Sequence, residues 1–332
     1  MRSTAAVNPA VWNPPAEDGG GMRCNPREVA LFWGASGSCR KRAPLYFNEV
    51  IRMHNQRNAV ITGAASGFGR ALAVALAKRG WQILAADVNL EGAGETCALV
   101  KDAGGSGEPF RCDVAVIDDV RRMAEYVFGR WGRVDLLVNN AGVAVAGMVG
   151  ECPVEDWQWI FSVNFWGVLH GCHVFVPRMK AQGGGHIVNM ASAAGLISLP
   201  EMPAYNATKA AVISLSETLK CELAADGIGV TVVCPSFFRT NLLSTFRCTN
   251  KFQKDFSTAA IENGRMSAEE IAESTIRAVK KNRLYVIPQF SARVQWFLKR
   301  LSPSLYHGNF ASMNRSDRFR KLLLELARRG LT

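Results

Sequence analysis

Nine cysteines are scattered through this 332-residue chain as single residues, with no CxxC pair and no Cys/His cluster at metal-ligand spacing. Zinc-binding and thiol-redox motifs are therefore missing. Cys112, Cys172 and Cys234 fall in apolar stretches and read as small core residues, consistent with reduced thiols and a cytoplasmic setting. His170 and His173 flank Cys172, but no carboxylate or further ligand accompanies them, so no metal site is expected. Met1 to Val11 lacks the apolar core of a secretory signal. No nucleic-acid module or basic stripe with base-reading groups is visible, and no internal repeat appears beyond an alternation of strands and helices. The segment nearest to a membrane span, Trp157 to Val176, contains Ser162, Asn164, Gly167, His170, Gly171 and His173. These are costly in a bilayer, so a buried helix is expected instead.

Charge is plentiful but uneven. The net charge is +11; residues 1–57 hold eight Lys/Arg against four Asp/Glu, and residues 280–332 hold twelve against two. That leaves 19 basic and 22 acidic residues in 58–279, so the tails are basic and the centre is not. Residues 1–52 are rich in Pro, Gly, Asn and Arg and read as a disordered or mis-started extension, with possible helix at Arg27–Trp33 or Ala43–Met53. Residues 53–288 read as one catalytic domain and 289–332 as a basic, amphipathic helical tail. The tail segments 295–301 and 319–329 suit either packing on the domain or lying on an anionic membrane surface.

Strands read near 58–62, 82–86, 108–112, 134–138, 184–190, 228–234 and 283–287, mostly as apolar runs, with helical stretches between them, predict an α/β fold. The sheet should be parallel and covered on both faces. After the first run comes Gly63-Ala-Ala-Ser-Gly67-Phe-Gly69, then an apolar helix. Glycines in that position let the backbone approach a pyrophosphate at a helix N-terminus. The second run ends in Asp87, 24 residues beyond Gly63, where an acidic residue would hold adenosine ribose hydroxyls.

Tyr205 and Lys209 are four residues apart on a predicted helix, so they share a face. A lysine beside a phenol favours the phenolate and should pull its pKa down from about 10. Such a phenol can exchange a proton with an alcohol or carbonyl, and Ser192, thirteen residues upstream, could hold the substrate oxygen.

From about Ala59 to Pro288, these motifs resemble the short-chain dehydrogenase/reductase family. The resemblance includes Thr62–Gly69, Cys112-Asp113-Val114, Asn139-Asn-Ala-Gly142, Asn164, Ser192, Tyr205, Lys209 and Pro235–Thr240, with Ser236 where the family has glycine. It implies a Rossmann-type, doubly wound, seven-stranded parallel sheet and hydride transfer between a nicotinamide and an alcohol or ketone carbon. By the same resemblance Tyr205 is the general acid/base and Lys209 tunes it while holding the nicotinamide ribose. Ser192 binds the substrate oxygen, and Asn164 holds a water linking Lys209 to solvent. The cofactor contacts so implied are Thr62, Gly63, Ser66, Gly67, Phe68, Gly69, Asp87, Asp113, Val114, Asn140, Ala141, Gly142, Tyr205, Lys209, Pro235, Phe238 and Thr240.

Asp87 would repel a 2′-phosphate, and neither Ser66 nor Val88 is basic, so NAD is expected rather than NADP. Arg70 should face along its helix. The substrate pocket is expected to combine Ser192 and Tyr205 with apolar residues: Val143, Val145, Leu196, Ile197, Leu199, Met202, Phe237, Phe238, Leu242 and Leu243. That set suits a small hydrophobic alcohol or ketone, with Asn241 to Gly264 as a lid. The resemblance also implies a homodimer or homotetramer. Alternatives are a catalytically silent NAD-binding sensor or scaffold, a membrane-surface lipid, retinoid or steroid dehydrogenase, and an epimerase or dehydratase of the wider family.

Overall fold

The computed structural model describes residues 57–314 and 316–331. The expectations for residues 1–52 lie outside the described residues. The described residues form nine strands: β1 (Arg57–Thr62), β2 (Trp81–Asp87), β3 (Ser106–Arg111), β4 (Leu136–Asn139), β5 (Val145–Ala146), β6 (Gly185–Met190), β7 (Ile228–Val233), β8 (Arg247–Cys248) and β9 (Tyr285–Val286). Seven form one parallel sheet in the order β3-β2-β1-β4-β6-β7-β9. This is the expected doubly wound sheet. The pair β5–β8 is a separate ladder that the sequence pattern did not reveal.

Strand ends differ from expectation where side chains take over the backbone. Val134 lies outside β4 because Gln182 occupies both its N–H and its C=O, at 3.1 and 2.7 Å. The last strand is two residues rather than five. Asn282 sits in the left-handed region, and the Thr231 hydroxyl donates to the Arg283 carbonyl at 2.7 Å.

The helices are α1 (Gly67–Ala77), α2 (Leu90–Asp102), α3 (Ile117–Trp131), α4 (Val154–Phe161), α5 (Gly167–Ala181), α6 (Ala193–Ile197), α7 (Pro203–Glu222), α8 (Lys251–Glu262), α9 (Ala268–Lys280), α10 (Phe290–Leu301), α11 (Pro303–Asn314) and α12 (Asp317–Arg328). Alternation along β1 sends Ala59 and Ile61 to the core under α1, α2 and α9, and Val60 to the core under α3, α5 and α7. Both faces are thus dry along the central strands, which is why these read as apolar runs, whereas the edge strand β3, Ser-Gly-Glu-Pro-Phe-Arg, is partly exposed.

The stretch expected as one buried helix is a continuous helical run, Val154–Ala181, containing a π-helical turn at Ser162–Trp166. By length and composition this run could cross a membrane, and it is the one such helix among the described residues. In the fold, Val168, Cys172, Phe175 and Met179 pack into the core while Trp166 is exposed. Truncating the fully buried Phe175 to alanine would destabilise the fold by about 3–5 kcal/mol.

The C-terminal helices differ in how they attach. Helix α12 docks on α8, with Ala327 fully buried, as the packing alternative expected. Helix α10 rests on α6, with α11 following it.

Candidate active site

Strand order reverses between β1 and β4, and a cleft of about 1150 Å³ opens at the C-terminal ends of the strands there. At one end of the cleft the β1–α1 turn is held open by glycines. Gly63 (φ +63°) lies so close to Ala141 that a Cβ would stand 2.7 Å from its Cα. A Cβ on Gly69 would stand 2.3 Å from the Gly63 carbonyl oxygen, and one on Gly67 (φ +52°) 3.0 Å from Thr240 Oγ1. A side chain on Gly63 or Gly69 would push the turn away from its own backbone and from Asn140 and Ala141, and one on Gly67 would crowd Thr240.

Asp87, at the end of β2, faces the same space. Its carboxylate accepts from the Ala65 N–H and the Asn89 N–H, both at 2.9 Å, and so fixes the turn from below. Asn140 closes the turn from the β4 side, its Nδ2 donating to the carbonyls of Thr62 and Gly63 at 2.9 and 3.0 Å. Asp113 Oδ1 caps its own loop by accepting from Ala115 N–H. Arg70 does not simply run along its helix as expected but lines the cleft. It is held there by Glu95 at 2.7 Å, by Thr96 Oγ1 at 3.0 Å, and by the carbonyls of Ala65 and Gly92.

Ser192, Tyr205 and Lys209 meet in the middle of the cleft. Helix α7 begins with Pro203, whose fixed φ suits a first turn, and its i, i+4 spacing puts Tyr205 and Lys209 on one side. Lys209 Nζ stands 5.7 Å from the Tyr205 ring centroid and donates to the Met190 carbonyl, at the end of β6, at 3.0 Å. Ser192 caps α6: its Oγ accepts from Ala194 N–H at 3.1 Å and donates to the Pro235 carbonyl at 3.3 Å. Gly195 brings the two helices together, since a Cβ there would stand 2.6 Å from the Lys209 carbonyl carbon. The sequence reading missed Gly195; a glycine three residues after Ser192, in a short apolar helix, was the available signal.

The electrostatics depart from expectation. Burial raises the Tyr205 phenol above its usual range, although a hydrogen bond with Ser192 acts in the opposite direction. Burial also lowers Lys209, from 10.5 to about 8. Desolvation thus outweighs the expected pull of the ammonium on the phenol.

A family model described as short chain dehydrogenase matches residues 57–251. The chain belongs to this family. Family membership agrees with the strand order, the glycine turn and the Ser192–Tyr205–Lys209 cluster. The probable oxidoreductase EphD of Mycobacterium tuberculosis is 34% identical over 232 residues, which cover 67% of this chain but only 39% of that longer protein. Among solved structures, a short-chain dehydrogenase/reductase from Burkholderia phymatum in complex with NAD is 34% identical, with a TM-score of 0.71 over 75% of this chain and 95% of that one. An alcohol dehydrogenase from Thermococcus sibiricus, complexed with 5-hydroxy-NADP, is 25% identical, with a TM-score of 0.60 over 70% and 96%.

Most residues singled out from the family pattern line the cleft: Gly63, Ser66, Phe68, Asp87, Asp113, Val114, Asn140, Ala141, Gly142, Ser192, Tyr205, Lys209, Pro235, Phe237, Phe238 and Thr240. Thr62, Gly67 and Gly69 shape its wall instead. Thr62 Oγ1 accepts from the N–H groups of Asn140 and Ala141 at 2.9 and 3.2 Å, tying β1 to the β4 loop. Asn164 is fully buried in the π turn. Its Oδ1 accepts from Val143 N–H at 2.8 Å, and its Nδ2 donates to the Val143 carbonyl at 2.9 Å and to Thr208 Oγ1 at 3.3 Å. A Cβ built on Gly142 would stand 3.2 Å from Asn164 Oδ1 and 3.5 Å from Lys209 Nζ, so the amide and the ammonium share one flank of that glycine.

Three residues expected in the substrate pocket are elsewhere. Val145 pairs in β5 with Arg247 of β8 and packs with Cys152, Ile160 and Ala204. Leu196 turns into the core beneath α6, and Leu243 lines a separate groove. Trp159, Val163, Phe246 and Ile261 line the cleft and were missed. Ser236, where the family has glycine, is not in the left-handed region, and its N–H donates to Gln289 Oε1 at 2.9 Å.

Buried thiols complete the picture: burial pushes Cys112 and Cys172 up to about 12, and Cys234 upward as well. Among the described residues no group of three His, Cys, Asp or Glu side chains could hold a metal. His170 Nδ1 is engaged with the Val114 carbonyl at 2.9 Å.

Proposed function

We propose that the protein is an oxidoreductase transferring a hydride between a nicotinamide dinucleotide and a hydrophobic secondary alcohol or ketone. The observation that carries this reading is a single cleft with a glycine turn and Asp87 at one end, Ser192, Tyr205 and Lys209 in the middle, and an apolar far end. The turn fits a dinucleotide: without side chains on Gly63 and Gly69 it packs tightly on itself and on Asn140 and Ala141, and Gly63, Ala65 and Ser66 before the α1 N-terminus then face the cleft, where a pyrophosphate would lie. The bound nicotinamide would supply the hydride chemistry.

The chain's own residues handle position and protons. Tyr205 Oη gives a proton to the carbonyl oxygen in reduction and takes one from the alcohol in oxidation. The raised phenol suits the first role as the protein stands, and a ligand-stabilised charge on Lys209 would favour the second. Ser192 Oγ donates to the substrate oxygen as charge develops there. Asn164 is a positioning residue that fixes the Val143 loop beside Lys209, consistent with a proton path on that side.

NAD is the preferred cofactor in this reading. Asp87 presents a carboxylate where a 2′-phosphate would sit, and Arg70, the basic group lining that end, is neutralised by Glu95. The solved relatives include complexes of both cofactor types, so the preference rests on these two side chains. The far end is lined by Trp159, Val163, Ile197, Leu199, Met202 and Phe246 with no charged group, which suits an apolar substrate better than a phosphate or carboxylate. The catalytic unit is residues 53–288, with 289–332 as its tail. The exposed Val154 and Trp166 on the α4–α5 run support a homo-oligomer, and the buried thiols a cytoplasmic setting.

An absorbance screen at the nicotinamide band, with NAD or NADP and secondary, aromatic and steroidal alcohols, tests this. Turnover with NAD that vanishes in Tyr205→Phe is expected. Undiminished turnover in that variant overturns the mechanism, and equal efficiency with NADP overturns the cofactor assignment.

A further inference from the structure

Helix α10 is amphipathic, but its apolar side points away from the protein. Phe290, Val294, Phe297, Leu298 and Leu301 recur at helical spacing, and all are exposed, Phe290 by 74% and Leu301 by 71%. Leu305, in the next helix, extends the patch at 65% exposure. The opposite side of α10 attaches to the domain. Ala292 is buried, and Lys299 Nζ donates to the Leu196 carbonyl at 2.7 Å and to Ser198 Oγ at 3.1 Å. Trp296 packs on Tyr285 with ring centroids 5.2 Å apart. Ordinary surface helices do the reverse and bury their apolar stripe.

Beside the stripe, between α9, β9 and α10, runs a groove of about 850 Å³. Arg277, Lys281, Arg283, Arg293 and Arg300 line it, and no Asp or Glu does. Among the described residues none of these five forms an ion pair. The basic character is local, because residues 58–279 carry more acidic than basic side chains.

We propose that this face docks on an anionic lipid bilayer. Phe290, Phe297, Leu301 and Leu305 enter the headgroup–acyl boundary while the groove cations meet lipid phosphates. A large apolar patch rimmed by charge marks an interaction surface, and a rim of cations alone selects a negatively charged partner. A second copy fits poorly, since a two-fold contact would oppose the same five cations with no carboxylate between them. Docking also places the bilayer next to α6, whose Ile197 lines the apolar end of the cleft. That last consequence rests on the proposed function; the docking itself does not.

The test is co-sedimentation of the full chain with vesicles of phosphatidylcholine alone and of phosphatidylcholine mixed with phosphatidylglycerol. Binding to the anionic vesicles only is expected, weakened by salt. Phe297→Glu with Leu301→Glu should reduce it at least about tenfold, and Arg293→Gln and Arg300→Gln by about fivefold each. Equal binding to neutral vesicles, or binding that survives the paired glutamates, overturns the proposal. So does light scattering in which those glutamates split a wild-type oligomer, which would assign the stripe to a second copy. Turnover of a water-soluble alcohol without vesicles should be unchanged in the paired variant, which separates this test from that of the reaction itself.

Discussion

The two ends of the cleft are built differently. The glycine-turn end is made by strand ends that are neighbours in one sheet, and its side chains lock one another through backbone bonds: Asp87 to Ala65, Asn140 to Thr62 and Gly63. The apolar end is assembled from segments far apart in the chain and has little backbone ladder. The segment 241–264 beside it is tied down by the short β5–β8 pair and by Arg320 of α12, which reaches Glu201 at 2.6 Å and lies over the Phe252 ring at 5.4 Å. Glu201, whose side chain is only 8% exposed, also accepts from Gln253 of α8 at 2.9 Å. One end is thus a cradle of backbone-anchored side chains, and the other is held by a clasp that runs through the C-terminal helix.

The sharpest way to separate the ends is to remove the group between them. Tyr205→Phe should lower kcat by about 10²–10⁴-fold while leaving dinucleotide affinity, measured by fluorescence titration, nearly unchanged. A comparable loss of affinity would mean that the two ends are not independent.

Lys209 offers a second test, in stability. Its folded-state value of about 8 lies below its ordinary 10.5, so between those values the unfolded chain binds more protons and stability rises with pH. Below pH 8 the full penalty applies, on the order of 3 kcal/mol. Urea unfolding should therefore favour Lys209→Met over the wild type most strongly near pH 7, with the advantage fading as pH rises towards 10. A difference that does not vary with pH would contradict the burial argument.

Breaking the clasp should touch only the apolar end. Arg320→Ala is expected to raise the KM for the alcohol by about threefold to tenfold with kcat little changed, and to leave dinucleotide binding alone. The smallest effect belongs to the cradle: Glu95→Gln releases Arg70 and should raise kcat/KM with NADP by about fivefold, measured against NAD in the same assay.

The same contrast explains what could be read from the sequence. The glycine turn, Asp87 and the Tyr205–Lys209 pair are short-range patterns whose geometry follows from a turn, a strand end or one helical turn, and the structure places them together. The sheet was legible because its central strands are buried on both faces. Val145 and Leu196 were misplaced because apolar character cannot tell a wall of the cleft from the core behind it. The clasp was invisible because Arg320 lies 119 residues beyond Glu201. The outward face of α10 was equally hidden, since periodicity gives a helix a stripe but not the direction in which it points.

Asp87 carries a consequence for how this protein can change. In the proposed reading one carboxylate both faces the position that distinguishes the two cofactors and, as the structure shows, holds the Ala65 N–H that fixes the turn. A substitution that relaxes discrimination therefore also loosens the cradle, so a switch of preference cannot proceed by one replacement without an interval of weaker binding. The accessible route runs through Glu95 first, freeing Arg70 to supply a positive charge, and only then through Asp87, to a residue such as Ser or Asn that keeps an acceptor for the turn. Drift between the two cofactor economies is uphill at its most obvious step, and the order of mutations decides whether a descendant crosses it.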